Sequence, residues 1–411
     1  MRPVAWARKG ASVPHRRLGP QSTRRATFRL TAVSSVNNTD KRFLGRDDVD
    51  LEVVRADLQR VGEHRATPVA LADGQIRVRV DAFALSANNI SYAVFGDMMN
   101  YWDFFPAGTV SDDNAVWGRI PVWGFGQVVE SLSPDVIVGE RLFGYFPMGD
   151  ELVITCGRAD ARGITDVSPH RSALASAYNR YQRCATDSAY RAEREAHQML
   201  LYPLFFTSFV VDDFLLDNDD FGAEQIVISS ASAKTAIGAA YLAHRRGQRV
   251  VGLTSAGNTD FVTSLGVYDE VITYTDVASI APVPSVYVDV AGDQVVRHAV
   301  HARLGDLLGH SMTVGGTHWD SPADTDAATL AGPRPTFFFA PSQISKRSKE
   351  WGRDGLDARV SEAWHLFAAW VDGWIDFRHA DTPEAVITLY RELLSGRVDP
   401  RLGHLCSLIT T

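Results

Sequence analysis

A chain of 411 residues is longer than one ordinary core holds and predicts two domains. Its 45% hydrophobic and 22% charged residues are ordinary for a soluble globular protein. The first 29 residues carry eight Lys or Arg and no acid, which leaves 33 basic against 49 acidic residues, a charge of −16, in the rest; such a body repels nucleic acid.

The basic head lacks the apolar stretch of a secretory signal and reads as a disordered tail over residues 1–40, with a transit-like segment or an anionic-surface arm as alternatives. From residue 43 to 151 the pattern is strand-like: "GQIRVRVDAFALS" alternates, and Gly and Pro punctuate the rest. Helix formers dominate residues 173–199, where "AYRAEREAHQML" reads as a solvated helix. The longest apolar stretch, "MLLYPLFFTSFVV", contains Pro203 and ends on Asp212 and Asp213, so it reads as too short and too interrupted to span a bilayer, and no membrane partner is expected. Cys156, Cys184 and Cys406 are far apart, which excludes a disulfide framework or a cysteine-rich zinc site and suits a reducing, cytoplasmic interior.

The character changes at Leu204. "QIVISS", "RVVGLT", "EVITY" and "SVYVDVAG" are short β-branched runs, with helical stretches between the first three. That alternation predicts an α/β fold with a doubly wound parallel sheet. "LGHSMTVGG" and "TFFFAP" supply two further strands, and "RVSEAWHLFAAWVDGWI" and "PEAVITLYRELLSG" read as closing helices.

The turn after the first of these strands, "SSASAKTA", has the spacing small-x-small-x-x-small that a dinucleotide-binding turn requires, at Ala231, Ala233 and Ala236. Alanine is tolerated there wherever φ stays negative. Ser230, Ser232 and Thr235 add hydroxyls, Lys234 adds a charge for phosphate, and the helix behind offers free N–H groups. A close-packed strand–helix turn without a ligand fits the same residues. At the end of the second strand, where an NAD site places an acid, stand Thr254, Ser255 and Asn258. With no carboxylate to repel a 2′-phosphate, NADP (NADPH) is favoured over NAD.

Several stretches together resemble the medium-chain dehydrogenase/reductase superfamily, in particular its zinc-free, quinone-oxidoreductase-like branch. They are "VWGFGQVVESLSPDVIVGERLFGY", "GLTSAGNTDFVTSLGVYDEVITY" and "VYVDVAG". More narrowly, "NNISYAVFGDMMNYWDFFPA", "HRSALASAYNRYQR" and "SSASAKTA" resemble the uncharacterised domain of unknown function 2855 family. The resemblance implies a Rossmann doubly wound parallel sheet plus a GroES-like β-barrel domain. The barrel domain, with a helical extension, would span 41–203, the Rossmann domain 204–332, and 333–411 would return to the barrel. Zinc-dependent members carry Gly-His-Glu where this chain reads Gly124-Phe125-Gly126, and neither His nor Cys sits at zinc-ligand spacing; His170, His298, His301, His310 and His318 are scattered, and no metal is expected.

The resemblance and the residues themselves together nominate site residues. Tyr92 falls where the branch carries a tyrosine beside the nicotinamide; its phenol would donate to a carbonyl or enolate oxygen, unless it is a core aromatic. Asn88 or Asn89 would hold the nicotinamide ribose or substrate, and Asp97 is a second acid/base candidate or a helix cap. Tyr101, Trp102, Phe104 and Phe105 would wall a flat substrate or form core, with Asp103 needing a partner if buried. Thr207 and Ser208 stand where the family's helix meets the nicotinamide amide, and Gly315 and Gly316 where a later strand backs the cofactor. Lys346 and Arg347 are offered to a phosphate or to the second domain, or form an exposed pair; residues 170–183 would be a lid or a brace.

The expected function is an NADP(H)-dependent, zinc-independent oxidoreductase reducing a small-molecule carbonyl, quinone or activated alkene, with a homodimer as one assembly the reading allows. The alternative is a non-catalytic nucleotide-binding or scaffold protein retaining the fold.

Overall fold

A computed structural model describes residues 48–108, 115–314, 330–396 and 398–409 of the chain; the basic head lies outside them. The first strands are β1 (Asp48–Val54) and β2 (Asp57–Ala66), which pair antiparallel. Next come β3 (Gln75–Leu85), the helix α1 (Ala87–Val94) and the two-residue β4 (Trp117–Gly118), which joins the sheet of β1. Then follow β5 (Pro121–Ser131), β6 (Arg141–Pro147), β7 (Glu151–Asp160), β8 (Gly163–Asp166) and β9 (Arg180–Arg183).

These strands close a six-stranded antiparallel barrel in the order β3-β5-β6-β9-β8-β7, with β7 returning to β3. Closure removes the sheet edges. The alternation in β3 directs Ile76, Val78 and Val80 into the core, while Arg79 reaches Asp81 at 2.7 Å on the outer side. Gly124 and Gly126 are required by the close approach of β5 to β3: a Cβ on either would stand 2.5 Å from the Ala82 carbonyl oxygen or 2.6 Å from that of Arg79. Phe125 between them is fully buried.

The segment 173–199 departs from its expected helical form. Arg180–Arg183 is barrel strand β9, and the helix α2 starts only at Glu195 and runs to Asp217. Nor is this segment solvated: Ala189, Gln198 and Met199 are buried. Pro203 lies within α2 without breaking it, so by length and composition the helix could cross a membrane, contrary to the sequence expectation. In the fold it is half-buried against α3, α6 and the barrel, and its Asp213 is paired with Arg347 at 2.7 Å.

Beyond α2 the parallel sheet forms from β10 (Gln225–Ile228), β11 (Arg249–Thr254), β12 (Glu270–Thr273), β13 (Ser285–Asp289), β14 (Leu308–Thr313) and β15 (Thr336–Phe337). Its order is β12-β11-β10-β13-β14-β15, the doubly wound arrangement in which ligands bind at the point where strand order reverses. The connecting helices are α3 (Lys234–Arg245), α4 (Thr259–Ser264) and α5 (Gln294–Leu304). Strand β15 falls after residue 332, so the parallel sheet reaches into the stretch assigned from sequence to the C-terminal return.

The chain then forms α6 (Ala340–Val371), broken at Gly352 where φ is 72°, and packs it on α2. It ends with β16 (Asp376–Ala380), α7 (Pro383–Leu394) and β17 (Leu402–Cys406). Strand β17 pairs antiparallel with β3, which brings the C-terminus back onto the barrel. One apolar cluster joins α2, α3 and α6 to Phe125, Phe143 and Leu405 of the barrel sheet, so the two domains share a core at their seam.

Candidate functional site

The turn between β10 and α3 lies at the strand-reversal point and is tied from several sides. Ser229 Oγ donates to Asp289 Oδ1 at 2.8 Å and accepts the N–H groups of Val290 and Ala291. Ser230 sits in the left-handed region, with φ 53°, a conformation that costs a residue with a Cβ. Its N–H donates to the Tyr274 hydroxyl at 3.1 Å. Ala231 is fully buried: its N–H donates to Leu253 O, and its carbonyl accepts from the Tyr268 hydroxyl at 2.9 Å. Ala236 is equally buried.

Ala233 is the N-cap of α3, with φ −73°, which alanine adopts without strain. It has no capping side chain, and no acid stands in the first turn. Those N–H groups, with the positive end of the helix dipole, are the feature of this turn suited to an anion. Asn258 Nδ2 donates to Ser232 Oγ at 3.1 Å, which holds the end of β11 against the turn. Ser255 is exposed beside it, whereas Thr254 is closed off in the sheet, 1% exposed, and offers no surface to a ribose.

Several nominated residues are committed elsewhere. Lys234 Nζ donates to the carbonyls of Pro400 (3.4 Å) and Leu402 (3.3 Å), bridging α3 to the C-terminal strand instead of standing free over the turn. Ser208 is fully buried and donates to Thr235 O at 2.7 Å, locking α2 to α3, so it is not an amide contact. Thr207 donates back to Pro203 O within its own helix. Lys346 is ion-paired with Asp217, and Arg347 with Asp213 and with Asp217 at 3.0 Å; they brace α6 to α2 and are not phosphate ligands. Gly315 and Gly316 lie outside the described residues.

Across the seam, a narrow cleft of about 240 Å³, counting space open to solvent, lies between the barrel and α2. Its walls are Ala84, Ser86, Asn88, Asn89 and Trp123 on one side and Met199, Leu200, Pro203 and Leu204 on the other. Ser86 caps α1, and Asn89 completes the capping box: its Oδ1 accepts Ser86 N–H at 2.8 Å and its Nδ2 donates to Pro121 O at 3.0 Å. With both ends of its amide engaged, Asn89 is a structural residue. Asn88 is half-buried and lies one helical turn before Tyr92 on the same face.

Tyr92 is buried behind Trp123, whose indole N–H donates to the Tyr92 hydroxyl at 3.3 Å. Burial pushes the Tyr92 phenol up to about 12, and a hydrogen bond to the Asn88 side chain is among the weaker influences opposing that rise. Trp123, which sequence reasoning passed over, lines the cleft where Tyr92 does not. The sole hint was its place immediately before Gly124-Phe125-Gly126. Asp97 is far too exposed for an acid/base role; its side chain is 80% exposed and 3.6 Å from Arg55.

Behind Trp123 stands a packed cluster of rings. Tyr92 lies 4.7 Å from Tyr101 and 5.6 Å from Tyr145, and Tyr145 lies 4.6 Å from Tyr178. Phe104 and Phe105 complete it, whereas Trp102 is buried in the separate core of the barrel; Asp103 is exposed and needs no partner. Residues 170–183 act as a brace: Tyr178 packs into the cluster, β9 joins β6 to β8, and the fully buried Arg171 lies 3.1 Å from Asp166. His301 is held by Ala331 O and Ser311, His310 is stacked on Phe221, His170 meets Phe104 O, and His318 lies outside the described residues. Among the described residues no three His, Cys, Asp or Glu side chains gather as a metal site.

The C-terminal strand and the residue before it deliver two further groups that no motif announced. Arg401 stacks 5.0 Å over Phe261, three residues after Asn258. His404, on β17, is buried, and its Nε2 has no hydrogen-bond partner among the described residues.

Solved structures share this fold at low identity. CurA of Vibrio vulnificus in complex with NADPH is 14% identical, with a TM-score of 0.57 over 89% of this chain and 100% of CurA. The yhdH oxidoreductase of Salmonella enterica in complex with NADP is 13% identical, with a TM-score of 0.50 over 89% and 99%. A quinone oxidoreductase of Coxiella burnetii is 14% identical, with a TM-score of 0.50 over 89% and 100%. A search of curated protein sequences returns no match. These likenesses agree with the two-domain fold implied by the resemblance to medium-chain dehydrogenases/reductases. The family model described as "Protein of unknown function (DUF2855)" matches residues 83–399, more than three quarters of the sequence, and the chain belongs to that family.

Proposed function

We propose that the protein is an NADP(H)-dependent, zinc-independent oxidoreductase that reduces a small carbonyl, quinone or activated alkene. The observation that carries this reading is the uncapped N-terminus of α3 at the reversal point of the sheet, reached by a turn whose N-cap alanine keeps φ negative. Structural neighbours solved in complex with NADPH and NADP support the same cofactor. The absence of a carboxylate among residues 254–258 and the position of Arg401 over Phe261 favour the 2′-phosphorylated form.

The fit of a dinucleotide rests on this chain's own groups. The first-turn N–H groups of α3 would bind the pyrophosphate, Ser255 and Arg401 would meet the ribose phosphate, and the cleft beside Asn88 and Trp123 would take the nicotinamide end. When bound, NADPH supplies a hydride. Asn88 is the amide on the cleft wall not consumed by capping, and the N–H that does not meet Tyr92 would donate to an oxygen on which negative charge grows. Tyr92 stands one layer back as a positioning residue, fixed by Trp123 and hydrogen-bonded to Asn88. Met199, Leu200 and Leu204 close the far wall with apolar surface and exclude water. Phe125, buried between two obligatory glycines, leaves the zinc-ligand place to the core.

The three thiols, all free, support a cytoplasmic location. The alternative, a non-catalytic nucleotide-binding or scaffold protein, draws on the narrowness of the cleft. NADPH oxidation measured against panels of quinones, enones and aldehydes decides between them. Turnover of one panel member is expected; NADPH binding without turnover on any panel would favour the scaffold.

A further inference from the structure

A proline inside a helix costs one hydrogen bond, and in α2 that cost falls on a single carbonyl. Pro203 lies well within the helix and, having no N–H, cannot donate to the carbonyl four residues earlier, that of Met199. Met199 is only 5% exposed, and a backbone acceptor held away from water costs free energy unless a donor reaches it. The hydroxyls of the following turn are spent further along the helix. Thr207 donates to Pro203 O at 3.3 Å and Ser208 to Leu204 O at 3.0 Å.

The second observation is where this carbonyl stands. Met199 and Pro203 are one helical turn apart on the same stripe of α2, and both line the cleft at the seam. The break in the helical ladder therefore falls on the stripe that faces the cleft. On the opposite wall is Asn88, with the N–H that does not meet Tyr92. No residue that lines the cleft is charged. The two walls thus offer a ligand one donor and one acceptor, facing each other in otherwise apolar surface.

We propose that the Met199 carbonyl, bared by Pro203, is a substrate-recognition group that takes a hydroxyl placed across the molecule from the reacting carbonyl or enone. The assignment to a substrate rests on the proposed function; the missing helical donor does not. The substrate oxygen accepts from Asn88, and its hydroxyl donates to Met199 O. An analogue without that hydroxyl leaves a buried acceptor unpaired, and a bare quinone sets its second carbonyl oxygen against another oxygen. An acidic substrate finds no cation in the walls and is disfavoured for that reason. The class selected is an uncharged, hydroxylated carbonyl or enone.

The test uses the full chain and three probes: para-hydroxycinnamaldehyde, its para-methoxy ether and cinnamaldehyde itself, which is smaller than either. The Met-Leu pair occurs once in the chain, at Met199-Leu200. Carbonyl carbon-13 methionine with nitrogen-15 leucine therefore isolates the Met199 carbonyl as one NMR cross-peak. In the wild-type protein the hydroxylated probe should move that carbon downfield saturably, and the other two should not. With NADPH, kcat/KM should be at least about tenfold higher for the hydroxylated probe than for cinnamaldehyde. Pro203→Ala returns the helical N–H, improves helix propensity and should bring that ratio close to one. A cross-peak unmoved by the hydroxylated probe, equal kcat/KM in the wild type, or a ratio kept in Pro203→Ala overturns the proposal. The wild-type titration needs no substitution, so it holds whatever the variant does. If the cross-peak moves as expected while no probe is turned over, the recognition group stands and the reductase reading falls. If all three probes are turned over equally with the cross-peak unmoved, the reductase reading stands and this inference falls.

Discussion

The Trp123 indole N–H meets the Tyr92 hydroxyl at 3.3 Å, and of the two rings only that of Trp123 faces the cleft. On the proposed function the tyrosine would act through its neighbours, and the amide of Asn88 would stand where a direct donor is needed.

Asn88→Ala should lower turnover more than Tyr92→Phe. Loss of a transition-state donor costs about 2.7–4 kcal/mol, a hundredfold or more in kcat. Removal of the Tyr92 hydroxyl should cost about tenfold or less and leave KM for NADPH unchanged. Steady-state kinetics with one good substrate checks the ranking, and equal losses would return Tyr92 to the reacting centre.

Cofactor affinity should depend on pH through Lys234. Its ammonium is drawn down to about 8 in the unliganded protein, with His404 and Asp399 as the charged or titratable groups facing it. An anion favours the protonated form, so binding takes up protons near pH 8 and affinity falls as pH rises through that value. Calorimetry in buffers of different ionisation enthalpy reads the uptake directly. In Lys234→Met this proton uptake should vanish.

Ala233→Asp should move stability and binding in opposite directions. A carboxylate at the N-cap of α3 satisfies first-turn N–H groups and stabilises the helix by about 1 kcal/mol. The same carboxylate occupies and repels the place of the pyrophosphate. A higher Tm with NADPH affinity lost is the expected pair of results; retained affinity would show that the cofactor does not use this terminus.

Arg401→Ala should erode the choice between cofactors. Its guanidinium stacks on Phe261 and lies 3.6 Å from Asp399, and residues 254–258 at the end of β11 hold no carboxylate. Loss of one charge-assisted contact predicts NADPH affinity down about tenfold with NADH affinity little changed. An equal fall for both would make Arg401 a packing residue.

How much of this is legible in the sequence depends on where the determining contact lies. The parallel strands are legible because burial on both faces demands β-branched runs, as in "QIVI" and "VYVD". The spacing of Ala231, Ala233 and Ala236 is legible because it answers a local requirement of one turn. Strand β9, "RYQR", is not, since it carries no alternation and gains its form from the edges of β6 and β8. Asn88 and Asn89 are adjacent and identical in type, and only the capping geometry of Ser86 separates the capping amide from the one that meets Tyr92 at the cleft wall. His404 and Arg401 are lone residues some 170 and 140 positions from Lys234 and Phe261, respectively, and only the pairing of β17 with β3 brings them to the seam.

The two glycines of β5 carry one more consequence. Any side chain at position 126 must enter the space of a backbone oxygen on the neighbouring strand, and any replacement at 125 must vacate a filled core. Restoring the His and Glu of a zinc-dependent relative would thus require the barrel to spread along its most extensive strand pairing before a ligand could form. Where zinc-dependent proteins of the resembled superfamily carry His and Glu, the wall of this barrel is already filled, and placing them there is a problem of moving two strands as well as of making two substitutions.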